Sequence, residues 1–359
     1  MLRVLHVLGS LQRGGAETFV MNVYRRINRS NIQFDFLVKE RVDNGYESEA
    51  LSMGARIFEV PSAKKLGAVK YIREQRKVIL ENGPFVAVHS HVNYLSGMTL
   101  LAAKLAGVRC RIAHSHSTRF PQGIGEKISR FAILPFSTKL FACSQDAGKA
   151  LFGDANFEVI GNGVEWEKYA SYSVDSADDS PFTIVQIGRF VEVKNHRFTL
   201  QVLKKLSDVS SVDFRVVFLG DGPLLDDMKM LINKYGLRDK VSCPGSVSNP
   251  EVWLRTADCV IMPSLYEGIP LSAIEAQCSS CFLIVSDRVS PLIDLGLGLC
   301  HFLPLESSKW VEALLHLMSA DRQRLSLETI QNAVYEKGFA PEQAAEKLSD
   351  YYESLDSVE

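Results

Sequence analysis

The sequence has no apolar run that approaches the roughly 18 residues of a membrane-spanning helix. Its start, MLRVLHVLGS, places Arg3 and His6 inside an apolar stretch and offers no small-residue cleavage site, so a secretory signal is not expected. The seven cysteines are an odd number without a regular framework, which is typical of a reducing compartment. We therefore predict a cytoplasmic protein, and its 46% hydrophobic and 23% charged residues are those of a globular chain.

Both common nucleotide-binding fingerprints are missing from the opening segment, RVLHVLGSLQRGGAETFV. Gly9 and Gly14 have the spacing of a P-loop, but Gly15 and Ala16 stand where Lys and Ser or Thr are required, and G-x-G-x-x-G is not matched. The order is nonetheless strand, glycine turn and helix, which brings free backbone N–H groups and the helix dipole to one point. Gly14 and Gly15 therefore predict either an anion-binding turn or a tight turn without a ligand.

A large excess of one charge is also missing, since the net charge is −2, but the two halves of the chain differ. Residues 1–170 hold 23 Lys and Arg against 15 Asp and Glu, whereas the remainder holds 17 against 27. Basic residues concentrate in 63–80, which is either a solvated helix face or a seat for anionic lipid headgroups on the inner face of the cell membrane. Nucleic acid is not expected there, because Tyr71 is the only aromatic residue that could stack on a base.

Apolar β-branched runs alternate with segments of helical period along most of the chain, as in TIVQIGR at 183–189 followed by a helical pattern. This alternation predicts an α/β fold with parallel sheets that are covered on both faces. A polar segment rich in Ser and Asp interrupts the pattern and predicts a linker. We therefore expect an N-terminal domain over 1–168, a linker over 169–181, a C-terminal domain over 182–340 and a final helix over 341–359.

Metal-ligand motifs are incomplete, but four of the eight histidines form two doublets. HSH occurs at 89–91 and again at 114–116, and period-two spacing puts both members of a doublet on one face of a sheet. No carboxylate or thiol lies near either doublet in sequence, so we predict no metal site there. Cys278 and Cys281 form a C-x-x-C without a second pair at zinc-ribbon spacing, and we expect them to be buried structural residues.

Two segments of the second half combine cations, carboxylates and a helix start. In IGRFVEVKN, Arg189 and Lys194 flank a βα turn, where they would neutralise a diphosphate or form an ordinary charged loop. In PSLYEGIPLSAIEA, a loop presents Glu267 before a proline-initiated helix that carries Glu275. The helix N-terminus suits a phosphate, whereas the carboxylates suit sugar or ribose hydroxyls. The implied ligand has a sugar, a ribose and phosphates between them.

Together these segments resemble the retaining glycosyltransferases of family 4, which have the GT-B fold. The resemblance extends over nearly the whole chain, and it rests on GGAE at 14–17, GNGV at 161–164, GR…K at 188–194, GDGP at 220–223 and E-x7-E at Glu267 and Glu275. Within the family, the sequence is most similar to bacterial enzymes that build capsular or exopolysaccharide repeat units. The resemblance implies two Rossmann-like, doubly wound domains that face a central cleft, with the final helix packed back on the N-terminal domain. The segment CSSC departs from the family pattern of Gly and Pro after EAQ, which puts the local packing in doubt.

The resemblance also implies roles for single residues on the donor side. The backbone at Gly14 and Gly15 would approach the donor diphosphate, whose charge Arg189 and Lys194 would hold. Glu275 would bind the ribose hydroxyls, and Glu267 would sit beside the transferred sugar. Contacts through the backbone are implied for Val247, which would meet the base, and for Gly268, Ile269, Pro270 and Leu271, which would meet phosphate or sugar hydroxyls. The cleft histidine of the family maps to His116, with His114 as the other choice and His91 as a looser match to a second cleft position.

The function implied is metal-independent, retaining transfer of a sugar from a nucleotide-sugar to a glycan or lipid-linked acceptor. UDP is favoured because most related enzymes use it, and the nucleotide-sugar is a co-substrate, so no cofactor is expected. One alternative is a nucleotide-sugar 2-epimerase, which binds the same donor without an acceptor. The other is a non-catalytic scaffold subunit that binds nucleotide-sugars.

Overall fold

The computed structural model of the chain describes residues 1–43, 45–118, 123–170, 181–320 and 324–355. They form two compact units, one made of Met1–Gly163 with Gly338–Glu359 and the other of Val164–Lys337. Each unit contains one sheet in which all paired strands run parallel, which confirms the predicted α/β fold class. In the described ranges, no helix is both long and apolar enough to span a bilayer.

The first unit is built on seven strands in the spatial order β3-β2-β1-β4-β5-β6-β7. The strands are β1 (Leu2–Val7), β2 (Ile32–Val38), β3 (Ile57–Glu59), β4 (Ala87–Ser90), β5 (Cys110–Ser115), β6 (Lys139–Ala142) and β7 (Glu158–Val159). The intervening helices are α1 (Gly15–Arg26), α2 (Glu47–Ser52), α3 (Ala63–Leu66), α4 (Ala68–Asn82), α5 (Ser96–Leu105), α6 (Ile124–Phe131), α7 (Ile133–Phe136) and α8 (Gln145–Phe152).

Both faces of the first sheet are covered because side chains alternate along each strand. On β1, Val4 packs in a cluster with Phe19 of α1, whereas Leu5 packs in a second cluster with Tyr71 and Ile79 of α4. The carboxyl ends of all these parallel strands lie at the same edge, where ligands of such sheets bind. This edge carries the predicted glycine turn and both histidine doublets.

The second unit has six strands in the order β10-β9-β8-β11-β12-β13. Its elements are α9 (Trp166–Ala170), β8 (Phe182–Ile187), α10 (His196–Val209), β9 (Phe214–Leu219), α11 (Leu225–Lys234), β10 (Val241–Gly245), α12 (Pro250–Thr256), β11 (Cys259–Met262), α13 (Leu271–Cys278), β12 (Phe282–Ser286), β13 (Cys300–Leu303), α14 (Ser307–Met318) and α15 (Leu327–Glu336). The chain winds from β8 to β9 and β10 on one side and continues with β11 on the other, so β8 and β11 form the topological switch point.

The remaining helix, α16 (Pro341–Ser354), lies in the first unit although it follows the whole of the second in sequence. Its Ala344, Ala345, Leu348 and Tyr352 are buried in the same cluster as Phe19 of α1. An ion pair between Arg26 and Glu342 adds a polar link between α1 and α16. These apolar residues of α16 are therefore buried against α1.

The division between the units differs from the predicted domain boundaries. Residues 164–168 belong to the second unit rather than the first, because α9 packs on α12, α13 and α15. Tyr169 and Ala170, predicted as the start of the linker, are buried residues of α9. The rest of the predicted linker, 171–180, lies outside the described residues, so the linker stays a prediction there.

Candidate functional site

The switch point of the second unit brings two predicted segments together. The loop after β8 and the loop after β11 are joined by a backbone hydrogen bond of 2.8 Å from Leu265 N to Val193 O. The Asn195 side-chain amide also donates to the carbonyl of Pro263, at 3.1 Å. These bonds hold Lys194 beside Glu267, and the Lys194 Nζ lies 2.7 Å from Glu267 Oε2.

Lys194 and Glu267 form a largely buried ion pair, with 18% and 16% of their side chains exposed. The Ser264 hydroxyl donates to the other carboxylate oxygen, Glu267 Oε1. Both oxygens of the carboxylate are therefore partnered, and its charge is balanced by the ammonium group. The sequence predicted both residues but gave them separate roles, so their direct contact was not predicted.

Arg189 is exposed, and within the described ranges no hydrogen bond or ion pair engages its guanidinium group. Its backbone is held by the GDGP loop after β9, where Phe190 N donates to Asp221 O at 2.9 Å. Gly220 has a φ of +144°, and a Cβ there would lie 2.1 Å from the carbonyl oxygen of Gly188. The glycine thus permits the close approach of the two loops. Arg189 and Lys194 both belong to the loop after β8, and the Arg189 side chain is exposed.

The helix predicted after Glu267 is α13, which begins at Leu271 with Pro270 as its N-cap. Gly268 and Ile269 lie in the short connection, and the Glu267 carbonyl accepts a hydrogen bond from Ser290 N at 3.3 Å. Glu267 is therefore fixed by its backbone as well as by its carboxylate. The other predicted donor-site residue, Val247, is half-buried in the segment after β10.

Glu275 lies on α13, half-buried against α9. Desolvation raises the pKa of its carboxyl to about 7, and the nearby charge of Glu251 acts in the same direction, whereas a hydrogen bond from the Tyr169 hydroxyl opposes the rise. Burial and the same carboxylate raise the pKa of Tyr169 as well. Sequence reasoning missed Tyr169 because the polar composition that follows it suggested a linker.

In the first unit, five histidines from three adjacent strands form one group, which we call the histidine cluster. Its members are His6 from β1, His89 and His91 from β4 and its end, and His114 and His116 from β5 and its end. Only the two doublets were predicted, and His6 joins them because it pairs in register with His89 across the sheet. The cluster lies under Phe19 of α1, whose ring is 5.0 Å from that of His114, and Tyr352 of α16.

Hydrogen bonds link the rings of the histidine cluster into two short chains. In the first, His6 Nδ1 is 3.0 Å from His91 Nε2, and His91 Nδ1 is 2.8 Å from His116 Nε2. In the second, the Tyr352 hydroxyl is 2.6 Å from His89 Nδ1, and His89 Nε2 is 3.2 Å from His114 Nδ1. The Nε2 atom of His116, a predicted catalytic residue, is thus already engaged by His91.

Burial keeps these imidazoles neutral. Four of the rings are at most 4% exposed, and desolvation lowers the pKa of His6 and of His116 to about 3. Burial also places the pKa values of His89, His91 and His114 well below the usual range of histidine. At neutral pH, each ring therefore carries one proton and offers one unprotonated nitrogen.

The predicted glycine turn begins α1, with Gly14 as the N-cap and Gly15 as the first helical residue. A Cβ on Gly14 would lie 2.4 Å from Glu17 Oε2, so the Glu17 carboxylate folds back over the turn. Burial raises the pKa of this carboxyl, and Lys39 opposes the rise. A Cβ on Gly15 would meet nothing within 4 Å, so that side of the turn is open. A carboxylate thus already lies where the sequence predicted an anion.

Comparison with known proteins gives matches to both units. Residues 14–160 match the model of the glycosyl transferase 4-like domain, and residues 171–295 match that of glycosyl transferases group 1. The protein EpsF of Bacillus subtilis (strain 168), which is named as a glycosyltransferase, is 37% identical over 98% of this chain and 96% of its own length. A capsular polysaccharide biosynthesis glycosyltransferase of Staphylococcus aureus, CapH, is 28% identical over 80% of this chain and 82% of its own. The crystal structure of Anabaena Alr3699/HepE in complex with UDP-glucose shares the fold, with a TM-score of 0.79, 14% identity and complete coverage of both chains.

Proposed function

Because this chain belongs to glycosyltransferase family 4, we propose that it transfers a sugar, with retention of configuration, from a UDP-sugar to a glycan or lipid-linked acceptor. The pathway is the biosynthesis of a capsular or exopolysaccharide. The observation that supports this most directly is the joined pair of loops at the switch point of the second unit, where Arg189, the Lys194–Glu267 pair and the start of α13 come together. The similar structure that holds UDP-glucose supports UDP as the nucleotide.

The second unit supplies the electrostatics that such a transfer requires. The bond between the anomeric carbon and the donor phosphate breaks, which leaves negative charge on the departing diphosphate. Arg189 and Lys194 would stabilise that charge, and the N–H groups at the start of α13 would add the helix dipole. These groups would take the role that a divalent ion has in other transferases, so we propose that the transfer requires no metal.

Retention follows if the acceptor hydroxyl attacks the same face from which the diphosphate leaves. A bond forms between the acceptor oxygen and the anomeric carbon, and the acceptor proton passes to the departing phosphate oxygen. No separate protein base is needed in this scheme. That agrees with the surroundings of Glu267, whose two carboxylate oxygens are already paired with Lys194 and Ser264 and which is therefore suited to positioning the sugar.

Recognition of the nucleoside would use Glu275 and Val247, both in the second unit. Glu275 would accept hydrogen bonds from the ribose hydroxyls, which favours its ionised form and opposes the effect of burial on its pKa. Val247 would contact the base through its backbone. The roles implied for Gly14, Gly15, His91, His114 and His116 in the first unit stay predictions.

A thermal-shift screen tests the donor first. UDP and UDP-sugars are expected to raise the unfolding midpoint, whereas GDP and ADP are not. A ligand that binds only the folded protein stabilises it by about 2.7 kcal/mol at a hundredfold excess over its dissociation constant. The shift should persist with a chelator in place of Mg²⁺. A shift with UDP but no sugar transfer to any extracted lipid or glycan acceptor would favour the scaffold alternative, and a shift with none of the nucleotides would contradict the donor site.

The acceptor side includes a basic surface on the first unit, and we propose that it docks on anionic membrane. The six Lys and Arg residues of segment 63–80 are exposed, and on α4 the apolar Val69 and Leu80 are 75% and 51% exposed beside them. Arg76 donates to the carbonyl of Leu105 at 3.0 Å, and Leu105 is itself 54% exposed. Basic residues with exposed apolar neighbours are the composition of a peripheral membrane surface.

Co-sedimentation with vesicles tests this docking. Vesicles with phosphatidylglycerol should bind the protein more tightly than neutral vesicles, and added salt should remove the difference. Each basic residue contributes about 1 kcal/mol near such a surface, so the variant with R73E and K77E should lose at least about tenfold in binding. The matched control carries K229E and K234E on α11 of the second unit. Equal binding to both kinds of vesicle, or equal losses in the two variants, would contradict the proposal.

A further inference from the structure

The histidine cluster contains more imidazoles than the roles predicted for the transferase involve. The faces of buried parallel sheets are usually lined by Val, Ile and Leu, yet here five imidazoles from β1, β4, β5 and the segments after them meet under α1 and α16. Roles are predicted for His116, His114 and His91, whereas none is predicted for His6 and His89. The cluster therefore calls for a separate explanation.

Within the described residues, three buried ring nitrogens of the cluster lack a hydrogen-bond partner, namely His6 Nε2, His114 Nε2 and His116 Nδ1. The side chains of His6 and His114 are 1% and 0% exposed. Leaving a buried polar atom unpaired has a free-energy cost for the folded state. A ligand that accepts electron pairs from nitrogen would remove that cost at His114, whose other nitrogen already faces His89.

We propose that His91, His114 and His116 bind a divalent transition-metal ion of the class of Zn²⁺, Co²⁺ or Ni²⁺. One ring nitrogen from each of these residues lies within 4.8 Å of the others. His91 Nδ1 and His116 Nε2 are 2.8 Å apart, and three nitrogens at about 2.0–2.1 Å from a zinc ion would be about 3.3 Å from one another. A separation of the rings by about half an ångström therefore opens the site. The proton between the two rings moves to His116 Nδ1 as the ion enters, so that all three rings stay neutral.

For His91 and His114, the hydrogen bonds have the arrangement that metal-bound histidines require, in which the second ring nitrogen donates to a fixed acceptor. With His91 bound through Nδ1, its Nε2 faces His6 Nδ1 at 3.0 Å. With His114 bound through Nε2, its Nδ1 faces His89, which is held in turn by the Tyr352 hydroxyl. With His116 bound through Nε2, its Nδ1 would carry the ring proton, and within the described residues this buried atom makes no hydrogen bond.

A second group, His6, His89 and His91, also places three ring nitrogens within 4.8 Å. All three of its residues are fully enclosed, at 0–4% exposure, whereas His116 at the strand end is partly exposed. The outer group therefore has an entry path and leaves one coordination position for water, as three-histidine sites do. The sequence predicted no metal here because it offered no thiol or carboxylate, and a site made of imidazoles alone requires neither.

Equilibrium dialysis tests the site directly. The full chain, prepared without a polyhistidine tag and stripped with a chelator, is dialysed against Zn²⁺ alone and against Co²⁺ alone, and the ion content is measured by elemental mass spectrometry. We expect one ion per chain and, with Co²⁺, the intense visible absorption of a four-coordinate site. Zn²⁺ should also raise the unfolding midpoint by mass action.

Matched variants separate a built site from weak surface binding. His116 lies at the exposed end of the cluster, so His116→Ala should lose the ion with little change in the circular dichroism spectrum. His6→Ala removes an orienting partner and should weaken binding of the ion by about 10- to 100-fold. His316→Ala, on the exposed side of α14, should bind as the wild type does. Binding that is absent in the wild type, or that His116→Ala and His316→Ala share equally, would overturn the proposal. Neither result depends on the sugar donor, so the outcome is independent of the transferase proposal.

Discussion

Replacement of Lys194 by methionine is expected to lower kcat/KM for sugar transfer by about 100- to 1,000-fold, the usual effect of removing one preorganised group that stabilises charge in a transition state. Two losses combine in this variant. The departing diphosphate loses one of its two cations, and the Glu267 carboxylate, only 16% exposed, loses the ammonium group 2.7 Å away and keeps only the Ser264 hydroxyl. The measurement is transfer of labelled sugar under subsaturating donor.

The control for Lys194→Met is Lys204→Met on α10. Lys204 also pairs with a carboxylate, Asp208, but 43% and 55% of the two side chains are exposed. Exposed pairs contribute about 0–1 kcal/mol to stability, so this variant should retain wild-type activity and stability. Lys194→Arg keeps a cation at the site and should recover part of the activity. If the kcat/KM of Lys194→Met stays within about tenfold of the wild-type value, Lys194 does not stabilise the transition state as proposed.

Replacement of Glu275 by glutamine is expected to change how stability depends on pH. The pKa of Glu275 is about 7 in the folded protein against 4.5 in the unfolded chain. Between these values the folded state holds more protons, so the contribution of Glu275 to stability is complete below pH 4.5 and is lost as pH rises through 7. A pKa shift of this size corresponds to about 3 kcal/mol in the free energy of unfolding. Glutamine does not titrate, so Glu275→Gln lacks this pH dependence. The free energy of unfolding of the wild type should therefore fall relative to that of Glu275→Gln across this range.

Urea denaturation of both proteins at a series of pH values measures that difference, and other titrating groups cancel because both proteins carry them. Tyr169→Phe is the matched variant. The hydrogen bond from Tyr169 lowers the pKa of Glu275, so its loss should move the titration above pH 7. Parallel stability curves for the wild type and Glu275→Gln would show that folding does not raise the pKa of Glu275. UDP should also bind more tightly as pH rises through 7, if the ionised carboxylate accepts the ribose hydroxyls.

The fold was predictable from local patterns, because a buried parallel strand and an amphipathic helix each leave their own signature in sequence. The segment TIVQIGR, for example, begins within β8 and extends two residues past its end. The spacing of Ala345, Leu348 and Tyr352 gave the buried face of α16. What these patterns do not contain is strand order, which depends on the whole sheet.

Strand order is what produced the contacts that the sequence did not predict. Lys194 and Glu267 lie 73 residues apart and meet only because β8 and β11 are neighbours. His6 joined the histidine cluster for the same reason, since a single histidine in an apolar strand carries no signal until its register with His89 is known. Tyr169 was hidden for a different reason, because the polar composition after it outweighed the five-residue helix that carries it.

The position of α16 has a consequence for synthesis on the ribosome. Residues 1–163 emerge before the second unit, yet their cluster lacks Ala344, Leu348 and Tyr352, and the His89 ring lacks its tyrosine partner, until α16 is translated. The second unit is continuous from 164 to 337 and emerges complete. The unit that is made first is therefore finished last, and in the nascent chain its apolar surface must stay shielded while nearly two hundred further residues are added.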